Sequence, residues 1–241
     1  MSITEGTQPV AKTWTGAWTS GSPQTTASFT PESGALLVAL LSGDGNPTGG
    51  NVTGAISDSL TGTWTLLLRT NTAGSNTGGT AEVWCRDSTN TSMTVTATCS
   101  GSTANGGQLV VRTLIGALAT ASQPGATGTK NNDTPATVQA SVAAGTGNMI
   151  YAAAFNFDTS TAMTVLGNTT SINAFADATN GDNWAAFKSS GDTAGTATYG
   201  YSTSVRGMLS AVEIKASAAT AAKAYGSIVV PTWGTHRSYT W

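Results

Sequence analysis

The chain repeats itself in outline, and this constrains its fold more than any single residue does. Gly107-Gln108-Leu109-Val110-Val111-Arg112-Thr113-Leu114-Ile115-Gly116-Ala117 returns as Gly207-Met208-Leu209-Ser210-Ala211-Val212-Glu213-Ile214-Lys215-Ala216. Gly34-Ala35-Leu36-Leu37-Val38-Ala39 returns as Gly147-Asn148-Met149-Ile150-Tyr151-Ala152. Two β-rich halves of roughly 100 residues therefore stand in tandem. In the first half, strand-length runs are Val10–Thr19, Ala27–Thr30, Leu36–Leu41, Val52–Ser57, Trp64–Arg69, Ala81–Arg86, Met93–Cys99 and Leu109–Ile115. In the second they are Ala136–Ser141, Met149–Phe157, Met163–Leu166, Ile172–Ala176, Trp184–Lys188, Ala197–Tyr201 and Leu209–Lys215. Gly-, Pro- and Asn-rich turns separate them, with Ser42–Gly50 and Asn71–Gly79 among the loops, and no window carries a 3.6-residue apolar period.

This pattern predicts an all-β fold, a β-sandwich of jelly-roll type built from two related halves. The halves run from about 10 to 117 and from 136 to 217. One sandwich made from both is preferred to two separate domains. Residues 1–9 read as an N-terminal arm, 118–135 as a polar linker and 218–241 as an extended C-terminal arm. Ala216–Ala224 fits a short helix and an extended linker equally.

Composition excludes several functions. Only 9% of residues are charged and the net charge is −2, where a globular protein usually carries about 25% charged residues. Hydroxyls and amides must keep this surface soluble. No basic run is present, which argues against a nucleic-acid surface. No stretch of 18 apolar residues is present, so no membrane span is expected. Residues 1–6 lack the charged start and apolar core of a signal peptide. The chain is accordingly expected to be made and kept in the cytoplasm, to leave by lysis, or to be read here without a leader.

The cysteines are Cys85 and Cys99. A hairpin pairing Ala81–Asp87 with Met93–Ser100 would offset them by about 13 Å along one face, at about 3.3 Å per residue. A disulfide needs Cα atoms within about 7 Å, so two buried free thiols are expected. The lone histidine, His236, cannot build a His/Cys metal site. It would need a positioned carboxylate to serve a nucleophile. The acidic residues show no spacing that favours a glycosidase pair. Asp177-Ala178-Thr179-Asn180-Gly181-Asp182-Asn183 resembles a calcium loop only faintly, lacking an acidic or amide ligand at the third position and the terminal Glu. It reads instead as a turn whose side chains bond their own backbone. No catalytic, cofactor or metal residues are therefore assigned.

Seven tryptophans remain to be placed. Trp64 and Trp84 lie in strand patterns and are expected in the core, with Trp184 as their counterpart in the second half. Trp233, His236, Tyr239 and Trp241 lie beyond the repeat and are expected at an interface, where tryptophan is a favoured anchor.

Three segments carry a resemblance. Pro31-x-x-Gly34-x-Leu36-Leu37-Val38, then Ile56-Ser57-Asp58-Ser59-Leu60-Thr61-Gly62-Thr63-Trp64, then Gly79-Thr80-Ala81-Glu82-Val83-Trp84 resemble a bacterial and phage β-module. In that module a G-L-L-V strand precedes a V-S-D-S-x-G-N-T-W hairpin, and an Ala-rich strand closes it, here Ser210–Ala216. The likeness spans about residues 10–217 and departs at Leu60 and Thr61. Such modules occur in secreted surface proteins and in minor tail or other virion proteins of actinobacterial phages, and supply no catalytic residues. The resemblance implies a non-enzymatic virion protein made in the host cytoplasm, a minor tail protein or a capsid decoration. Its expected partners are other virion proteins and further copies of itself, with no nucleic acid, membrane or cofactor. The alternative is a carbohydrate-binding adhesin module with a host surface glycan as partner.

Overall fold

Leu36–Gly45 is buried along its whole length, as its unbroken apolar run requires of a strand covered on both faces. It lies near the centre of a computed structural model that describes residues 2–16, 18, 22–45, 52–71, 78–100, 106–156, 163–177, 181–189 and 195–218. The first half contains β1 (Thr4–Glu5), β2 (Lys12–Trp14), β3 (Gln24–Thr25), β4 (Leu36–Gly45), β5 (Thr53–Asp58), β6 (Thr65–Thr70), β7 (Gly78–Asp87), β8 (Val95–Ser100) and β9 (Gly107–Ile115). The second contains β10 (Thr127–Ala144), β11 (Met149–Asn156), β12 (Thr169–Asp177), β13 (Asp182–Ser189) and β14 (Gly195–Ile214). The protein is an all-β sandwich with antiparallel sheets, as expected.

The repeat is visible in the pairing. The large sheet of the first half has the order β1-β9-β4-β7-β6, with β2 also on β9, and that of the second has β10-β14-β11-β13-β12. Leu36 faces Leu114 as Met149 faces Ile214, and Gly43 faces Gly107 as Asn156 faces Gly207. Even the irregularities coincide. Between β6 and β7 the ladder skips Leu67, and between β12 and β13 it skips the equivalent Ile172. A shared bulge is a designed feature rather than a defect.

The two large sheets pack face to face. Leu36, Val38, Leu40, Val83 and Val110 meet Tyr151, Ala153, Met208, Val212 and Ile214 in a shared core. Each half also has a covering layer. In the first, the small sheet β3-β8-β5 closes over Leu37, Ala39, Leu41 and Val111, with Trp14, Trp18 and Trp64 in the same cluster. In the second, β10 and β14 bend back together over Ile150, Ala152 and Phe187. Their ladder shifts register between Asn132 and Ala136 and again before Val138. Pro135 falls in the first of these gaps and has no N–H to donate, so the straight ladder ends there and the bend begins. Both halves thus form one sandwich through their large sheets, and each carries an outer layer in addition.

Several sequence expectations change. Residues 118–135 are not a linker throughout. Thr120–Ser122 is a short 3-10 turn and β10 begins at Thr127, paired with Val212. Within Val10–Thr19, β2 covers Lys12–Trp14 and residues 17 and 19 lie outside the described ones, while Ala27–Thr30 shrinks to an isolated bridge at Phe29. Ser42–Gly45 extends β4 rather than forming a loop, and Gly78–Gly79 already belongs to β7. Ala197–Tyr201 and Leu209–Ile214 are parts of one strand, and Lys215 lies just past its end. Ala81–Asp87 and Met93–Ser100 do not pair. They lie in β7 and β8 of different sheets, because β4 and β6 flank β7 instead. Both cysteines are nonetheless buried free thiols, Cys85 in the shared core and Cys99 under the small sheet. Burial pushes the Cys85 thiol up to about 11, which leaves little reactive thiolate at neutral pH.

The N-terminal arm is integral. Ile3 enters the shared core. Glu5, on β1, bonds Lys188 Nζ at 2.9 Å and accepts from Tyr151 Oη at 3.1 Å, both in the second half. At the other terminus, Ala216 bridges Ala117 and Ser217 N–H donates to the Gly116 carbonyl at 2.7 Å. The repeat closes there. Most of the C-terminal arm, including Trp233, His236, Tyr239 and Trp241, lies outside the described residues.

Candidate functional site

The acidic side chains show how this chain uses its few charges. Asp58 ends β5 inside the sequence motif noted above. Its Oδ1 accepts the N–H groups of Leu60 at 2.8 Å and Gly62 at 3.3 Å, and its Oδ2 accepts Trp64 Nε1 at 2.7 Å and pairs with Arg86. Burial works against ionisation of Asp58, but Arg86, the Leu60 N–H, Trp64 and the Gly62 N–H outweigh it and hold its carboxyl below the usual range. The motif is thus a self-satisfied turn. Thr61 within it adopts φ 56°. That left-handed conformation favours glycine, the residue the resembling motif carries at this point.

Glu82 is fully buried on the outer face of β7. Its carboxylate accepts from Gly54 N at 2.7 Å, Arg69 Nε at 2.8 Å, Thr80 Oγ1 at 2.6 Å and Trp84 Nε1 at 2.7 Å. Arg69 also donates to the Gly54 carbonyl and lies over the Trp84 ring, 5.7 Å from its centroid. The network ties β5 of the small sheet to β6 and β7. Glu213 accepts the Ala126 N–H, the Gly145 N–H and Asn148 Nδ2, and so fixes the turns flanking β10.

One acidic group differs. Past Leu40, the row of β4 that faces the other half continues through Ser42 and Asp44, toward the Gly45 end of the strand. Across the junction lie Phe155, Trp184 and Phe175, stacked with centroids 5.7 Å and 5.4 Å apart. Gly79 and Gly106 make room for this stack, since a Cβ on either would come within 2.8 Å of the Phe155 or Trp184 ring. Gln108 Oε1 accepts from Asn173 Nδ2 at 2.7 Å, again between the halves. Ser42 Oγ, Gln108 Nε2 and Trp184 Nε1 are buried here without a hydrogen-bond partner among the described residues. Beyond the stack, Asp182 hydrogen-bonds Asp44, while Asp177 stands opposite Asp182 in the β12–β13 ladder. All of these carboxyl groups are at most 5% exposed. Burial, reinforced by the charge of Asp177, raises Asp182 to about 6 against the opposing bond from Asp44.

Here burial perturbs a carboxyl group upward, in contrast to Asp58 and Glu213. Among the described residues, no group of three or more His, Cys, Asp or Glu side chains is placed to hold a metal ion. A retaining glycosidase separates its carboxyl groups by about 5 Å and an inverting one by more, whereas Asp44 and Asp182 are in direct contact. At the opposite end, a shallow surface cavity of about 410 Å³ is lined by Thr63, Thr65, Arg86, Asp87, Thr120 and Ala121.

Trp14, Trp18, Trp64 and Trp184 are buried, and Trp84 is half-buried under Arg69. Trp184 is not the counterpart of Trp64 or Trp84. Phe155 faces Trp184 as Ser42 faces Ala81, so Trp184 occupies the position of Ala81 on the shared face. Phe187 takes the place of Trp84. Sequence reasoning missed the Asp44, Asp177 and Asp182 cluster, because Asp44 read as part of a loop and its partners lie in the other half. Compared with known proteins, the chain matches no family model, no curated protein and no solved structure.

Proposed function

We propose that the chain is a non-enzymatic structural component of a phage particle, a minor tail protein or, as a close variant, a capsid decoration protein. The observation that carries this reading is the use of its buried carboxylates. Asp58, Glu82 and Glu213 each gather several donors from turns and neighbouring strands. A carboxylate saturated in this way stiffens a scaffold and is unavailable as a general acid or nucleophile. The motif residues that carry the phage resemblance are among those committed to structure. A carbohydrate-binding module would instead present aromatic rings to solvent. Among the described residues, the exposed large apolar side chains are Val10 and Ile115, neither of them aromatic.

In this reading residues 218–241 form the assembly arm. Ser227–Val230 has the β-branched content of a strand and Pro231 removes a donor, which suits the edge of a neighbouring subunit's sheet. Trp233, Tyr239 and Trp241 would fill pockets there, with His236 among them. The sheets close at Ala216, so deleting 218–241 is expected to leave a folded chain that no longer enters particles. Circular dichroism and particle composition measure the two effects. A truncated chain that incorporates normally would refute the arm's role, and one that fails to fold would assign the arm to its own sandwich.

A further inference from the structure

One long strand edge is left open. β12 is nine residues long and ends its sheet, with β13 on one side and, among the described residues, no strand on the other. Alternate residues of such a strand turn their N–H and C=O outward, where another chain can pair with them. The remaining edges are closed or short. Thr70 Oγ1 of β6 donates to the Leu209 carbonyl at 3.0 Å, and β6 packs against β10 and β14. β10 breaks its register twice and bends. On β5, the Gly54 N–H goes to Glu82 and the Gly54 carbonyl accepts from Arg69. β1, β2 and β3 have two or three residues each. We propose that the free edge of β12 receives Ser227–Val230 from the C-terminal arm of a neighbouring copy, as an added antiparallel strand. This rests on the reading of the arm as an assembly element and names the surface that it meets.

Length and side chains fit. Past the bulge at Ile172, β12 pairs without interruption from Asn173 to Asp177. Setting Ser227 beside Asp177 brings Val230 to Ala174 and Pro231 to Asn173, next to the bulge. Proline has no N–H to give, so the added ladder ends where β12 itself becomes irregular. Val229 then lies beside Phe175, which is half-buried and stacked on Trp184 at 5.4 Å. Ile228 and Val230 lie beside Ala176 and Ala174, both exposed. These are β-branched–aromatic and large–small neighbours, which favour cross-strand pairing. Beyond Pro231 the arm heads for the Thr169 end, where Lys188, opposite Thr170, meets Glu5 of β1. Ile115, opposite Thr4 of β1, is exposed there and offers Trp233 an apolar surface.

The arm of the same chain does not reach this arrangement. The last described residue, Ala218, lies past Ile214, which faces Met149 at the Thr169 end of the sheet. Antiparallel entry begins at the Asp177 end, about 26 Å along the strand and about 19 Å to the side. That straight line of about 32 Å equals the full extension of the nine steps from Ala218 to Ser227, and it passes through the sheet rather than round it. A parallel addition is within reach, but parallel pairing is the less stable kind. A second copy has no such limit.

The test is hydrogen exchange of the full chain, with its mass in solution followed by sedimentation over a range of concentrations. Amides of residues 173–177 are compared in the wild type and in Val229→Pro, which removes a donor from the middle of the arm's run. As wild-type copies associate, the outward amides here are expected to gain roughly tenfold or more in protection. In Val229→Pro they are expected to stay at the level of the dissociated chain. Its thermal midpoint should match that of the dissociated wild type, because the sheets close at Ala216. Equal exchange in the two chains at every concentration would overturn the docking. So would protection in a wild type that sediments as a single copy, which would put the arm on its own sheet. Particle composition separates this inference from the reading beneath it. A wild type absent from particles overturns that reading alone, whereas unchanged β12 exchange overturns the docking whatever the particles contain.

Discussion

Replacing Trp184 by alanine is expected to destabilise the protein by about 3–5 kcal/mol. The indole is fully buried, lies between Phe155 and Phe175, and packs against Gly106 of the other half. Its removal opens a cavity between two large sheets whose backbones are fixed by their ladders, so the site can collapse only in part. It also discards two stacked aromatic contacts, each contributing roughly 0.5–1.5 kcal/mol beyond area. Trp84→Ala should cost less, because that ring is half-buried at the edge of its cluster. Equilibrium unfolding in urea separates the two. Equal losses, or a Trp184→Ala loss below about 1 kcal/mol, would contradict the junction packing described here.

Glu82→Ala should be comparably damaging, at about 3–5 kcal/mol. The carboxylate is fully buried, and its loss removes the acceptor of Gly54 N, Thr80 Oγ1 and Trp84 Nε1 together. Arg69 would keep only its bond to the Gly54 carbonyl while its side chain remains 21% exposed. Arg69→Ala is milder, since the other donors still satisfy Glu82. A double-mutant cycle of the two should therefore be strongly non-additive. Additive losses would mean that the residues act independently, against the network geometry.

Much of this was readable in the sequence, for physical reasons that differ by element. Leu36–Leu41 is apolar at every position, and only a strand covered on both faces explains that. The Gly107 and Gly207 repeats gave matching registers because the same apolar pattern must face the same core. What stayed hidden depended on contacts between distant segments. Nothing local says that β7 pairs with β4 and β6 rather than with β8, so the supposed hairpin around residues 88–92 failed. Gly and Asp in Ser42–Gly45 looked like loop chemistry, yet Gly43 is needed because a Cβ there would lie 2.6 Å from the Trp18 ring. Thr127–Asn132 is polar and read as a linker, but pairing with β14 settles its conformation. The expectation that Trp184 mirrors Trp64 or Trp84 failed because a repeat preserves backbone positions more faithfully than side-chain size. In the candidate site, Asp177 and Asp182 were legible as a turn, whereas Asp44 could join them only through the packing of the two halves.

The central functional claim is that the chain belongs to a particle. Mass spectrometry of the purified phage particles, washed at high salt to strip adsorbed protein, tests it most directly. The expected result is the intact chain at a fixed ratio to the other particle proteins, retained through the wash. Particles that lack the chain, together with free chain that binds host glycans or hydrolyses them, would contradict the account.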